Sequence, residues 1–232
     1  MLFRQMFDAE TATYTYLLAD EDSGDALLID PVVTQFDKYQ QLLEELGLTL
    51  LYAVDTHVHA DHVTALGRLK AELGAQTVMG AETKAEGVDV RLEDEALLPL
   101  GNLMLRAIAT PGHTDDSYCF CLENDENRMV FTGDTLLIRG TGRTDFQNGD
   151  AATQYDSLVN RLLSLPDDTL VYPGHDYKGW SVSSIGEEKA HNPRLQVTGV
   201  EEYTHLMNGL NLPEPKQMHV AVPANLRCGM NA

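Results

Sequence analysis

One short segment, residues 57–62 with the sequence His-Val-His-Ala-Asp-His, contains the strongest chemical signal in the chain. Its candidate ligands are His57, His59, Asp61 and His62. Asp61 alone could cap a helix that follows, but three clustered imidazoles have no comparable structural explanation. Because imidazole nitrogens bind zinc, iron, copper and nickel, the segment predicts a metal site.

Three further candidate ligands each follow a predicted strand. His113 lies in Thr-Pro-Gly-His-Thr, Asp134 in Thr-Gly-Asp-Thr and His175 in Tyr-Pro-Gly-His-Asp. Each motif alone is weak, because Gly-His and Gly-Asp pairs are common in loops. Together with residues 57–62 they supply five histidines and two aspartates, which is enough for one or two metal ions.

The elements that must position these residues are strands with helices inserted between them. Apolar runs and alternation predict strands over 11–18, 26–30, 48–54, 76–79, 103–109, 117–122, 129–132 and 169–172. Helical periodicity, glycine stops and a possible N-cap at Asp150 predict helices over 34–46, 63–73, 151–164, 184–190 and 200–208. This order favours an α+β fold of two packed sheets with helices outside and functional loops at strand ends.

Composition indicates one soluble globular domain over residues 1–232, with an irregular, proline-containing tail over about 211–232. The net charge of −20 disfavours nucleic acid and anionic membranes as partners. The absence of a long apolar run argues against a membrane span. Three cysteines and a start unlike a secretory signal favour a reducing compartment, so we expect a cytoplasmic protein.

The four motifs between residues 55 and 175 occur in an order that resembles the metallo-β-lactamase superfamily. That resemblance implies an αββα sandwich, two mixed sheets flanked by helices, with metal at the edge between the sheets. A narrower resemblance, nearly end to end, is to the persulfide dioxygenases (the ethylmalonic-encephalopathy-protein family). It is carried by the segments 137–147, 172–177, 192–195, 211–215 and 221–229. In that family the tail folds back toward the site.

The resemblance implies a catalytic site with one Fe(II) per chain, held by His57, His113 and Asp134. It also implies oxidation of glutathione persulfide by O2 and water to sulfite and glutathione. Residues expected to orient these ligands or hydrogen-bond bound water are His59, Asp61, His62, Thr114, His175 and Asp176. The Thr114 hydroxyl could equally bond its own loop.

Substrate recognition requires local positive charge, because glutathione carries two carboxylates. Arg143 and Arg194 could each bind a carboxylate, and Tyr177 could hydrogen-bond the peptide part. Cys228 has two open interpretations. It could carry sulfane sulfur near the substrate if its pKa is lowered, or it could be a small apolar core residue.

Two alternative functions stay open from the sequence. A hydroxyacylglutathione hydrolase (glyoxalase II) shares the ligand motifs but uses two metals; the chain after His175 looks short for the extra helical domain of that enzyme. A non-catalytic persulfide sensor or carrier would use the same arginines and Cys228. As further partners we expect a homodimer and a separate rhodanese that supplies the persulfide.

Overall fold

Two six-stranded sheets form the centre of the computed structural model, which describes residues 1–123, 128–215 and 217–230. The first sheet contains, in spatial order, β1 (Leu2–Asp8), β2 (Thr13–Ala19), β3 (Asp25–Ile29), β4 (Thr49–Val54), β5 (Gln76–Gly80) and β6 (Val90–Leu92). Strands β1 to β3 pair antiparallel, and β3 to β6 pair parallel. The sheet is therefore mixed.

The second sheet is mixed as well. It begins with the antiparallel strands β7 (Leu97–Leu100), β8 (Leu103–Ala109), β9 (Tyr118–Glu123) and β10 (Arg128–Gly133). The chain then forms a small ribbon of β11 (Leu136–Leu137) and β12 (Gly140–Thr141), and later adds β13 (Leu170–Pro173) and β14 (Ser183–Ser184). Because β13 runs parallel to β10 and antiparallel to β14, the predicted pair of mixed sheets is confirmed.

An aromatic cluster fills the space between the two sheets. Phe131 of β10 is fully buried, and its ring lies 5.0 Å from that of Tyr16 and 5.6 Å from that of Tyr172. Tyr16 and Leu18 face this interior, whereas the alternate residues Leu17 and Ala19 face the other side of the same sheet. All seven residues of β2 are buried, as expected for a strand covered on both faces.

Helices cover the outer faces of both sheets. They are α1 (Phe36–Leu46), α2 (Leu66–Leu73), α3 (Ala151–Asp156), α4 (Ile185–His191), α5 (Val200–Asn208) and α6 (Met218–Asn225). Helix α3 begins at the predicted N-cap Asp150, whose side chain accepts from the Thr153 amide, and continues as a π-helical segment over Ser157–Leu162. Phe36 and Leu66 pack on the first sheet, and Leu158 and Tyr203 pack on the second.

Two sequence predictions about local structure were wrong. Helix α2 begins at Leu66 rather than at residue 63, since residues 55–65 form an irregular loop. The tail contains helix α6 despite Pro223, because Val222 and Leu226 pack against the apolar cluster under the first sheet and this contact outweighs the helix-breaking tendency of proline. Residues 216, 231 and 232 of the predicted tail lie outside the described residues.

Strand β1 was not predicted, because Leu-Phe-Arg-Gln-Met-Phe-Asp shows no regular alternation of apolar and polar residues. Within the described ranges, no helix has the length and apolar character needed to cross a membrane.

Replacing Phe131 by alanine should lower the free energy of unfolding by about 3–5 kcal/mol, because the substitution opens a cavity between the two sheets. Urea unfolding followed by circular dichroism measures this. Phe7→Ala is the matched control, since that ring is 43% exposed. Equal losses for the two variants would contradict the role given to Phe131.

Candidate metal centre

The candidate ligands meet at one edge of the sandwich, where strands of both sheets end. His57 follows β4 of the first sheet, whereas His113 and Asp134 follow β8 and β10 of the second. One donor atom from each of these three residues lies within 4.8 Å of the other two. His175 follows β13 and joins them from the same edge. Packing of the two sheets therefore assembles a set of two histidines and one carboxylate.

Hydrogen bonds behind the two histidines fix which nitrogen carries the proton. The Nδ1 of His113 lies 2.7 Å from the carbonyl oxygen of Arg143, which can only accept. The Nδ1 of His57 lies 2.9 Å from Thr56 Oγ1, which itself donates to Asp30. Both imidazoles therefore donate from Nδ1 and leave the lone pair of Nε2 for a metal ion, the arrangement that outer hydrogen bonds impose on metal-binding histidines.

Asp134 is held by His175. The Oδ1 atom of Asp134 lies 2.7 Å from His175 Nδ1, and the opposite ring nitrogen, Nε2, lies 2.7 Å from Asp61 Oδ2. The second oxygen of Asp134, Oδ2, faces His113 Nε2 at 3.6 Å. His175 therefore fixes one oxygen of Asp134 and leaves the other directed at the histidines.

The electrostatics of these groups favour metal binding. Burial and the neighbouring rings of His59 and His113 hold the pKa of His57 well below its usual value, so His57 is neutral near pH 7. Burial opposes ionisation of Asp134, but His175 outweighs it and lowers the pKa of this carboxyl. Burial also disfavours a charged His175, yet Asp134 and Asp61 raise its pKa well above the usual value. His175 is therefore a cation with a proton on each nitrogen.

A cation fits between the three converging donors. His57, His113 and Asp134 each use one polar atom in a hydrogen bond and direct another toward a common point. Two lone pairs and a carboxylate oxygen that face one another repel unless a positive charge lies between them. Two histidines with one carboxylate match the ligand set of non-haem iron oxygenases, although the same donors also accept other divalent ions.

A second group of potential ligands consists of His59, Asp61 and His62. In this group His59 Nδ1 and His62 Nε2 are buried and have no hydrogen-bond partner among the described residues. The remaining ring nitrogen of His59, Nε2, lies 3.1 Å from Asp30 Oδ1. Burial opposes the charge of His59, but Asp30 and Asp55 raise its pKa to about 9.

Sequence reasoning missed Asp30, which organises the start of the ligand loop. Asp30 is 1% exposed and accepts from the Thr56 amide at 2.7 Å, from the Thr56 hydroxyl at 3.0 Å and from His59. The available signal was an aspartate at the end of an apolar strand, Leu-Leu-Ile-Asp, the same pattern that marks Asp134. Asp116 was missed too; its carboxylate accepts from the Val58 amide at 3.2 Å.

Asp61 contacts His62 and His175, and it does not cap α2, which begins at Leu66. Two other predicted neighbours of the candidate ligands have contacts within their own loops. The Thr114 hydroxyl donates to Asp116 at 2.7 Å, so it bonds within its own loop. Asp176 accepts backbone N–H bonds from residues 178–180, and it shapes the loop after His175 rather than orienting a ligand.

A cleft of about 840 Å³ opens beside His113 and Asp134. Its lining includes His113, Asp134, Arg143, His175, Tyr177, Arg194 and the tail residues 212–215. Tyr177 is 74% exposed, and its ring lies parallel to that of His175 with the centroids 6.1 Å apart. The structure therefore brings the predicted substrate-binding residues Arg143, Arg194 and Tyr177 to the same cleft.

Cys228 has a different location. Its thiol is 1% exposed, donates to the Glu86 carbonyl at 3.3 Å and packs in the apolar cluster beneath the first sheet. Burial raises the pKa of this thiol to about 12, which removes the thiolate needed for sulfur transfer. Of the two sequence interpretations, the structure supports the small apolar core residue and corrects the substrate-binding assignment.

The chain is similar in sequence and in fold to known proteins. The sequence profile of the metallo-beta-lactamase superfamily matches residues 9–175. Over 99% of its length the chain is 48% identical to the mitochondrial persulfide dioxygenase ETHE1 of Homo sapiens, of which it covers 89%. It superposes on the crystal structure of ETHE1 from Myxococcus xanthus with a TM-score of 0.95 and 52% identity, covering 99% of this chain and 100% of that one. A probable hydroxyacylglutathione hydrolase of Schizosaccharomyces pombe is 34% identical, covering 86% of this chain and 88% of that protein.

Gly142→Ala should weaken metal binding by about tenfold or more, because a Cβ atom there would lie 2.1 Å from the Asp134 carbonyl oxygen and 2.8 Å from His113 Nδ1. Metal affinity is measured by competition with a coloured chelator. Gly140→Ala is the control, since its Cβ would meet Leu137 at an ordinary 3.9 Å. Unchanged affinity in Gly142→Ala would contradict the close packing of the two ligands.

Proposed function

This chain belongs to the metallo-beta-lactamase superfamily and, within it, to the persulfide dioxygenases, and from that premise we propose that its substrate is glutathione persulfide and its metal is Fe(II). The observation that carries the proposal is the convergence of His57, His113 and Asp134 in a chain that matches persulfide dioxygenases along 99% of its length. Two histidines and one carboxylate leave coordination positions on iron available for reactants.

The proposed reaction consumes one persulfide, one O2 and one water, and releases glutathione, sulfite and two protons. The terminal sulfur is oxidised and O2 is reduced, so no further reductant is needed. Iron bound to the three ligands would supply the electron transfer between the persulfide and oxygen. The protein supplies a neutral His57, the Nε2 atom of His113, an ionised Asp134 and a cleft that opens beside His113 and Asp134.

His175 supports this chemistry by staying protonated on both nitrogens. It donates from Nδ1 to Asp134 and from Nε2 to Asp61, so it satisfies one oxygen of each carboxylate without occupying the cleft side of Asp134. The exposed ring of Tyr177 lies parallel to the His175 ring, with 6.1 Å between the centroids. We expect this pair to keep the Asp134 carboxylate oriented while substrate enters.

Arg194 is the better candidate for binding a carboxylate of glutathione. Its guanidinium contacts the backbone and hydroxyl oxygens of Thr141, and no carboxylate partner is found for it in the described parts of the chain. Burial lowers the pKa of Arg194, which reflects a positive charge without full compensation. In a chain of net charge −20, such a cation is the local attraction that an anionic substrate requires.

Arg143 has a more structural set of contacts. It makes a bidentate pair with Asp145, at 2.7 Å for both bonds, and donates to the Pro213 carbonyl at 2.6 Å. Its charge is already paired, and it fastens the tail segment that forms one wall of the cleft. We therefore expect Arg143 to shape the substrate site and Arg194 to supply the charge.

Two-metal thioester hydrolysis is the second candidate function, and the unpartnered nitrogens of His59 and His62 are the observation in its favour. Against it, His175 Nδ1 and Nε2 each lie 2.7 Å from a carboxylate oxygen, so a second metal at Nε2 would have to displace its hydrogen bond to Asp61. The hydroxyacylglutathione hydrolase relative also has a lower identity, 34% against 48%. The dioxygenase is therefore the better supported of the two.

Asp134→Ala should abolish both iron retention and persulfide-dependent O2 uptake, because the carboxylate ligand is removed. Iron is measured after anaerobic gel filtration, and O2 with an electrode. Asp167→Ala, at an exposed ion pair with Lys189, is the control. Iron and full O2 uptake in Asp134→Ala would contradict the ligand assignment. Hydrolysis of S-lactoylglutathione by the wild type, without O2 uptake, would instead support the hydrolase.

Arg194→Ala should raise KM for glutathione persulfide by about 10- to 100-fold, the effect of losing a hydrogen bond to a charged group, with iron content unchanged. Arg143→Ala should raise KM less, because its charge is paired with Asp145. Steady-state O2 uptake measures both constants. Arg161→Ala makes the same change in net charge at Asp94 and Glu95 and serves as control. A larger effect for Arg143→Ala would contradict these roles.

A further inference from the structure

We propose that Asn225 is a positioning residue for the metal centre: it holds the loop that carries His57, His59, Asp61 and His62. Asn225 is the last residue of α6, far from these ligands in sequence, and is 2% exposed. The proposal rests on the metal centre described above but not on the reaction assigned to it.

The carboxamide of Asn225 makes three hydrogen bonds to the backbone of this loop. Its Nδ2 donates to the carbonyl oxygens of His59 at 2.9 Å and His62 at 2.8 Å. Its Oδ1 accepts from the Thr64 amide at 2.9 Å. Both amide hydrogens and one acceptor position are thus used in contacts between groups more than 160 residues apart.

The ligand loop needs such a partner. Residues 55–65 connect β4 to α2 without helical structure, so their buried backbone groups are not satisfied by neighbours along the chain. Leaving a buried carbonyl or amide unpaired destabilises that local conformation. A single asparagine side chain therefore stabilises the particular path of the backbone that presents the histidines.

The tail around Asn225 is itself fixed. The carbonyl oxygen of Cys228 accepts from the Gly67 amide at 2.7 Å, and that of Leu226 accepts from the Glu86 amide at 2.7 Å. Gly229 has φ 77°, and a Cβ atom there would lie 2.1 Å from the Thr64 carbonyl oxygen. The tail therefore lies in direct backbone contact with the ligand loop. These contacts fix the backbone of Asn225, so its side chain binds the loop from a fixed position.

This arrangement couples docking of the C-terminal helix to the metal centre. Metal ligands need their supporting residues to be held within a fraction of an ångström, and loss of outer hydrogen-bond partners weakens metal affinity by about 10- to 100-fold. Asn225 touches no donor atom, so its effect is on the backbone from which the ligands project. A variant at this position should change metal affinity without changing any ligand.

Asn225→Ala should weaken binding of Co(II), titrated by visible absorption, and of Fe(II), measured by chelator competition, by about 10- to 100-fold. Amide hydrogen exchange over residues 58–64 should become faster in the metal-free protein. Asn225→Asp keeps the size and the acceptor for Thr64 but directs an oxygen at the two carbonyls. It should weaken metal binding at least as much as the alanine variant, which separates hydrogen-bond donation from volume.

Asn192→Ala is the matched control. Asn192 is fully buried, and its Nδ2 donates to the Gly140 carbonyl at 2.9 Å and to Glu188 at 2.8 Å, away from the ligand loop. This variant should lose thermal stability but keep the wild-type metal affinity. Asn225→Ser, which retains one donor, should have an intermediate affinity and remains informative if the alanine variant does not fold.

Either of two results would overturn the role of Asn225 and leave the metal centre unaffected. One is wild-type metal affinity in both Asn225→Ala and Asn225→Ser, and the other is an equal loss of affinity in Asn192→Ala. A wild-type chain that bound neither Co(II) nor Fe(II) would overturn the metal centre together with this proposal. These outcomes are independent of persulfide oxidation, so they also distinguish a failure of this inference from a failure of the assigned reaction.

Discussion

Convergence of His57 from one sheet with His113 and Asp134 from the other is the constraint on which the structure depends. No single segment supplies the set, so the site exists only when the two sheets are packed at the correct distance and angle. The aromatic cluster around Phe131 and Tyr16 packs between the two sheets, and the candidate ligands follow strands that end at the same edge. The packing that forms the core between the two sheets therefore also brings the candidate ligands together.

Hydrogen bonds to the candidate ligands determine which atom of each one is free to bind a metal ion. Thr56 and the Arg143 carbonyl select the proton position on His57 and His113, and His175 selects the free oxygen of Asp134. The strongly acidic chain then leaves Arg194 as an incompletely compensated cation in the cleft. Global negative charge and local positive charge together favour a small anionic substrate that can enter the cleft over a large polyanion, such as nucleic acid, that must contact the surface.

The sequence allowed prediction of the four inner strands of each sheet, most helices and the candidate ligands that the structure brings together, because each leaves a local signal. A mostly apolar run marks β8, Gly47 marks the end of α1, and the clustering of His57, His59 and His62 predicts a metal site. Asp30 and Asn225 were not predicted, since a hydrogen bond between distant residues leaves no pattern in either segment. Helix α6 was missed for a related reason: its packing against α2 and the first sheet overrides the local effect of Pro223.

The most direct test of the central claim is a joint measurement on anaerobically purified wild-type protein: metal content per chain, and the ratio of O2 consumed to sulfite formed when glutathione persulfide is added. One site of two histidines and one carboxylate predicts about one iron per chain and equal amounts of O2 and sulfite. Two metals per chain with no O2 consumption would contradict the account and would mean that the same scaffold runs metal-assisted hydrolysis.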